Sequence, residues 1–137
     1  MKRPLIILVS ILLILFILGE SAVSQSESAK QSQRFTHSFL NPIIEKLGLG
    51  SVTWQQARKI AHAAEYFLLS IAALIFWQGK VIRTTYTGFT IAFLDESLQV
   101  VTGRGARVKD IWIDLIGVAI GTGVGYLLWH LRKGRRK

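Results

Sequence analysis

The sequence predicts an all-α integral membrane protein: a four-helix bundle, N-in and C-in, with a polar extracytoplasmic loop between helices one and two. Three observations predict it. Hydrophobic residues make up 50% of the 137 residues and charged ones only 18%, below the roughly 25% of a soluble domain. Four apolar segments, Pro4 to Gly19, His62 to Trp77, Thr84 to Val101 and Ile111 to Leu131, approach with their flanks the ~20 residues a helix needs to cross the hydrocarbon layer. Basic residues gather at alternate ends of these segments: Lys2 and Arg3 before the first, Lys80 and Arg83 between the second and third, and Arg132, Lys133, Arg135, Arg136 and Lys137 after the last. The positive-inside rule makes those three regions cytoplasmic.

The elements follow in order. Residues 1–23 form the first transmembrane helix. They also resemble a signal peptide, since Lys2-Arg3 and a long apolar stretch precede Ala22-Val23-Ser24; the stretch outruns the usual core of about 7–15 residues, which favours a retained anchor. Residues 24–52 form a polar connector. Its first part, SQSESAKQSQRF, has too little apolar surface to fold alone and reads as a flexible or surface-lying segment. Its second part, FTHSFLNPIIEKLGLG, is a short amphipathic piece broken at Pro42 and ended by Gly48 and Gly50. Thr53 to Gln56 matches a capping box, so the second helix starts near Trp54, before the membrane. Residues 53–131 hold a three-helix core, and residues 132–137 a basic cytoplasmic tail that touches anionic lipid. Trp54, Trp77, Trp112 and Trp129 fall near span ends, where interfacial belts form.

Composition excludes several functions. The chain has no cysteine, which rules out disulfides, thiolate catalysis and cysteine-ligated clusters. The net charge of +9 looks like a nucleic-acid signature, but the basic residues lie between and after apolar runs; topology and membrane lipid account for them, and no nucleic-acid partner is expected. Arg58, Lys59, Arg104, Arg107 and Lys109 fall on the other side of the membrane and call for another role.

That role lies in the acids. Glu65, Asp95, Glu96, Asp110 and Asp114 sit in or at the rim of the apolar segments, where charge is costly and therefore paired or functional. Alternating spans bring the start of helix two, the end of helix three and the start of helix four to one side, with these groups roughly 5–10 Å below the edge of the apolar layer. Helical phase puts His62, Glu65, Tyr66 and Leu69 on one stripe and Asp95 with Gln99 on another. Asp110, Asp114, Gly117, Gly121 and Gly125 share a third. The three glycines are helix-packing residues that let two backbones approach. Arg104, between glycines in the loop above, can pair with a carboxylate or grip a phosphate.

RKIAHAAEY (Arg58 to Tyr66), DESLQ (Asp95 to Gln99), and Gly103-Arg104 followed by DIWIDLIGVAIG (Asp110 to Gly121) resemble, in order and spacing, the three signature blocks of the VanZ-like family. The resemblance covers about residues 53–130. Its characteristic positions fall on His62, Glu65, Tyr66, Asp95, Glu96, Gln99, Gly103, Arg104, Asp110, Asp114, Gly117 and Gly121, with Asp114 where many members have Asn. It implies a multi-pass plasma-membrane protein of a bacterial cell envelope, in a family named for a member associated with resistance to the glycopeptide teicoplanin.

Two functions are weighed. In the first, a polar cluster with Tyr66, Gln99, Arg104, Asp110 and Asp114 as binding residues takes an outer-leaflet component: a lipid-linked cell-wall precursor or a glycopeptide. In the second, a membrane enzyme acts on a phospho- or acyl-lipid, with His62, Glu65, Asp95 and Glu96 as acid–base candidates and Arg104 on phosphate. Against both stands a purely structural network holding the bundle together. His62 and Glu65 form only half a metal site, so no metal and no cofactor is expected.

Overall fold

A computed structural model describes residues 3–103 and 108–134, and the described residues are all helical or irregular. The helices are α1 (Arg3–Ala22), α2 (Gln25–Phe35), a π-helical turn (Thr36–Leu40), α3 (Asn41–Lys46), α4 (Trp54–Phe76), α5 (Val81–Val101) and α6 (Val108–Gly134). The long helices α1, α4, α5 and α6 pack against one another around Ile17, Tyr66, Leu69, Ile91, Ala92 and Val118. Most of their other large apolar side chains, such as Leu12, Phe16, Ile82, Phe93 and Leu127, point outward. A protein surrounded by water would not leave such faces bare; one surrounded by hydrocarbon does.

Among the described residues three helices are long and apolar enough to cross a membrane: Pro4–Ala22, Trp54–Phe76 and Asp110–Lys133. The third segment expected as a span, Thr84 to Val101, lies within α5 but falls short in apolar character. Its 21 residues include four threonines, Asp95, Glu96 and Gln99. The second helix begins at Trp54, where the capping box at Thr53 places it, eight residues ahead of the apolar segment that starts at His62. The Gln56 amide nitrogen donates to Thr53 Oγ1 at 3.3 Å, and the Thr53 amide donates back to Gln56 Oε1 at 2.9 Å.

The connector is helical and mostly exposed, which answers to the surface-lying alternative of the expectation rather than the flexible one. SQSESAKQSQRF is helical because α2 packs on α4, so tertiary contact overrides a composition that could not fold alone. Ser28 and Thr36 are buried there. Pro42 does not break the amphipathic piece; it occupies the first turn of α3, where a missing N–H is harmless. The start of α3 is tied to the segment just before α4 through Asn41, whose side-chain amide pairs with both backbone groups of Val52, at 3.2 and 3.0 Å.

The backbones of α4 and α6 approach closely at two glycines. A methyl added to Gly117 would collide with the Ala63 carbonyl, and one added to Gly121 with the Phe67 carbonyl. Gly117 and Gly121 thus lie where a neighbouring backbone leaves no room for a side chain, and Gly125 lies against the tip of Leu74. At the other end of the core, the α4–α5 turn requires Gly79, which has φ +80° and lies against the Trp129 indole.

Candidate functional site

The site is assembled at the end of α1, the start of α4, the end of α5 and the start of α6. Asp95 is at its centre and has no solvent exposure. Its position one turn before Gln99 on the inward face of α5 lets Gln99 Nε2 donate to Asp95 Oδ2 at 3.3 Å. The Ser21 hydroxyl, from the last turn of α1, donates to the other carboxylate oxygen. Gln99 Nε2 also lies 3.3 Å from Ser21 Oγ, and the Thr102 hydroxyl donates to the Ser21 carbonyl at 3.1 Å. Both oxygens of the acid are therefore met by donors, as a buried carboxylate requires.

Tyr66, fully buried on α4, brings its hydroxyl within the field of Asp95, Asp114 and Glu65. Asp114, buried on α6, feels Asp95, Glu96, Asp110 and Glu65. On α4, His62 Nδ1 lies 3.6 Å from Glu65 Oε2, one turn apart and both partly exposed. Glu65 is also reached by Glu20 from α1 and by the opposing charge of Arg58. The helices thus bring His62, Glu65, Tyr66, Asp95, Glu96, Gln99, Asp110 and Asp114 to one end of the core, with Asp110 at its half-buried rim. Beneath this layer Ser70 and Thr122 are buried with hydroxyls that meet no hydrogen-bond partner.

Arg104, the guanidinium expected above the acids, lies outside the described residues, as do Arg107, Lys2, Arg135, Arg136 and Lys137. Among the described residues no three His, Asp or Glu side chains converge as a metal site. Sequence reasoning missed Ser21 and Glu20, which sit at the end of the most apolar helix. The one signal that could have found them is the switch from apolar to polar residues at Gly19-Glu20-Ser21.

A buried layer of hydroxyl and carboxylate groups of this kind has the donors and acceptors to meet a polar ligand or a proton. It is also the arrangement that a structural network would use.

Comparison with known proteins extends the resemblance. The sequence model of the VanZ/LLP1 family matches residues 5–130, so the match takes in α1 and the connector, in which the motifs alone had shown no signature. An uncharacterized membrane protein of Bacillus subtilis, YwnJ, is 36% identical over 81 residues, which is 58% of this chain and 54% of YwnJ. The match therefore spans about half the length of that curated relative. No solved structure matches the chain. With nearly its whole length matched and three apolar helices able to cross a bilayer, the chain is a membrane protein of the VanZ/LLP1 family.

Proposed function

We propose that the chain is a multi-pass protein of the bacterial plasma membrane that binds an outer-leaflet envelope component through the Asp95 layer and so contributes to glycopeptide resistance. In this reading α1, α4, α5 and α6 are four spans, N-in and C-in. The core of residues 53–131 carries the site together with Ser21 at the end of α1, and residues 132–137 are the cytoplasmic tail. The α5 helix crosses despite its polar residues because Thr84, Asp95, Glu96 and Gln99 are buried against its neighbours rather than facing lipid.

The observation that carries this reading is that all four helices converge on one fully buried carboxylate at the end where α1 leaves and α4 begins. A polar layer there meets ligands from the outer leaflet. Arg104, Tyr66, Gln99, Asp110 and Asp114 are the binding residues, Arg104 offering a phosphate contact. The test is association of a fluorescent teicoplanin-type glycopeptide, and of labelled lipid-linked precursor, with cells that do or do not express the chain. Expression is expected to change the amount retained, and an Arg104→Gln variant present at equal level to remove the change. Equal retention with and without the chain would sink the reading.

A second reading is favoured by the Ser21–Asp95 contact. It supplies a hydroxyl nucleophile, with the carboxylate as proton acceptor, that the motifs lacked. As an enzyme on phospho- or acyl-lipids, with His62 or Glu65 in acid–base roles, purified protein turns over a lipid extract and Ser21→Ala stops it. No turnover by the native protein leaves the binding function alone.

A further inference from the structure

The segment between α1 and α4 carries its polarity inside out. Along α2, the π turn and α3, Ser28 and Thr36 are buried at 3% and 1% exposure, in a line with the partly buried Ser32, Leu40 and Ile44. The adjoining line holds Phe35, Phe39, Ile43 and Leu47, which are 55%, 58%, 44% and 68% exposed. A helix in water does the reverse, burying phenylalanine and exposing serine.

The ridge is built deliberately by the backbone. Steps of four residues overshoot an α-helical turn by about 40°, so a line of such steps winds off one side. The π-helical turn at Thr36–Leu40 has more residues per turn and takes the drift back. Phe35 and Phe39 accordingly remain neighbours, with ring centroids 5.4 Å apart. The exposed Lys30, Arg34 and Lys46 flank the ridge.

We infer that residues 25–47 are an interfacial arm, lying on the membrane with Phe35, Phe39, Ile43 and Leu47 sunk among the lipids where headgroups meet acyl chains. The inference rests on α1 and α4 being membrane spans, as in the function proposed above, but not on what the Asp95 layer binds. Lipid is the occupant because the arm is tied at both ends to spanning helices. It follows α1 directly, and Asn41, at the start of α3, holds its second half to Val52, two residues before α4 begins. Such a tether keeps the segment at the bilayer surface, where aromatic and aliphatic side chains prefer the interface and lysine and arginine reach the phosphates.

The native chain has no cysteine, so single cysteines report cleanly in full-length protein reconstituted into phosphatidylglycerol-containing vesicles. Phe39→Cys, Ile43→Cys and Leu47→Cys probe the ridge; Gln33→Cys and Glu45→Cys, exposed two residues from Phe35 and Ile43 and so across the helix, are controls. The ridge cysteines are expected to react with a membrane-impermeant maleimide at least about tenfold more slowly than the controls, as burial of one large apolar side chain implies. A fluorophore on ridge sites alone should be quenched by nitroxide-bearing lipid. Equal reactivity at all five positions overturns the arm. Slow reaction without lipid quenching also overturns it, because protein rather than lipid then covers the ridge. The substitutions lie at exposed positions, and the native fraction of each variant is checked by its helical circular dichroism.

Discussion

Valine in place of Gly121 is expected to force α4 and α6 apart and remove most of the folded protein from the membrane. The reason is what the new side chain would meet. At Gly121 even a methyl collides with the Phe67 carbonyl and lies 2.9 Å from Phe67 Cα. These are backbone atoms within a helix, which cannot rotate aside as a side chain does. At Gly117 the obstacle is the Ala63 carbonyl, again backbone. At Gly125 it is the flexible end of Leu74, at 3.0 Å, and at Gly123 there is nothing within contact distance. Overpacking a well-filled interface costs about 1–3 kcal/mol where side chains can yield, so a clash with backbone belongs at or above the top of that range. The expected order of loss is therefore Gly121→Val and Gly117→Val, then Gly125→Val. Gly123→Ala should be neutral or stabilising by up to about 1 kcal/mol from helix propensity. Unfolding in mixed detergent micelles, followed by circular dichroism, reads the series. If Gly121→Val unfolds with the same midpoint as Gly123→Ala, the close α4–α6 contact is not what holds the core.

That glycine stripe shows what the sequence makes legible. Spacing of four along a helix fixes which side chains share a face, so Gly117, Gly121 and Gly125 could be assigned to one contact, and Asp95 with Gln99 to another. The start of α4 was legible for a similar reason: a capping box is local, and Thr53 and Gln56 need no other part of the chain to make it. Ser21 was not legible. Its bond to Asp95 joins residues 74 positions apart, and nothing in a run of apolar residues ending in Glu-Ser states which helix it will meet. The helicity of α2 was hidden likewise, because its composition is that of a solvated coil and only packing on α4 makes it a helix. The apolar shortfall of α5 was readable, but which of its polar residues are buried was not, because that depends on the helices it packs against. Motif blocks marked only the second half of the chain, since the first half contributes to the site through a serine and a glutamate that any chain could contain.

Asp95 offers the sharpest separation between a binding layer and a merely structural one. Alanine there removes both acceptors at once, leaving the Ser21 hydroxyl and Gln99 amide without the group they meet; an unsatisfied buried donor costs about 1–3 kcal/mol. Asparagine is different. Its carbonyl oxygen can accept from Ser21, and its amide can donate to Gln99 once the Gln99 side chain turns its oxygen inward, so both bonds to residue 95 survive, at the expense of the weak Gln99–Ser21 contact, while the charge does not. Asp95→Asn is accordingly expected to reach the membrane at near-native level and to unfold close to the native midpoint, whereas Asp95→Ala unfolds earlier. Ser21→Ala added to Asp95→Ala should cost less than it does in the native chain, because its partner is already gone. The coupling expected of a hydrogen bond between membrane helices is about 0.5–2 kcal/mol. The function reads the other way. If the layer recognises its ligand by charge, Asp95→Asn loses the glycopeptide and precursor retention of the native protein even though it folds. A variant that folds and retains both ligands fully would make the carboxylate's charge irrelevant and the layer a structural joint between α1 and α5. Loss of retention in the asparagine variant, with fold intact, assigns the charge of Asp95 to the ligand.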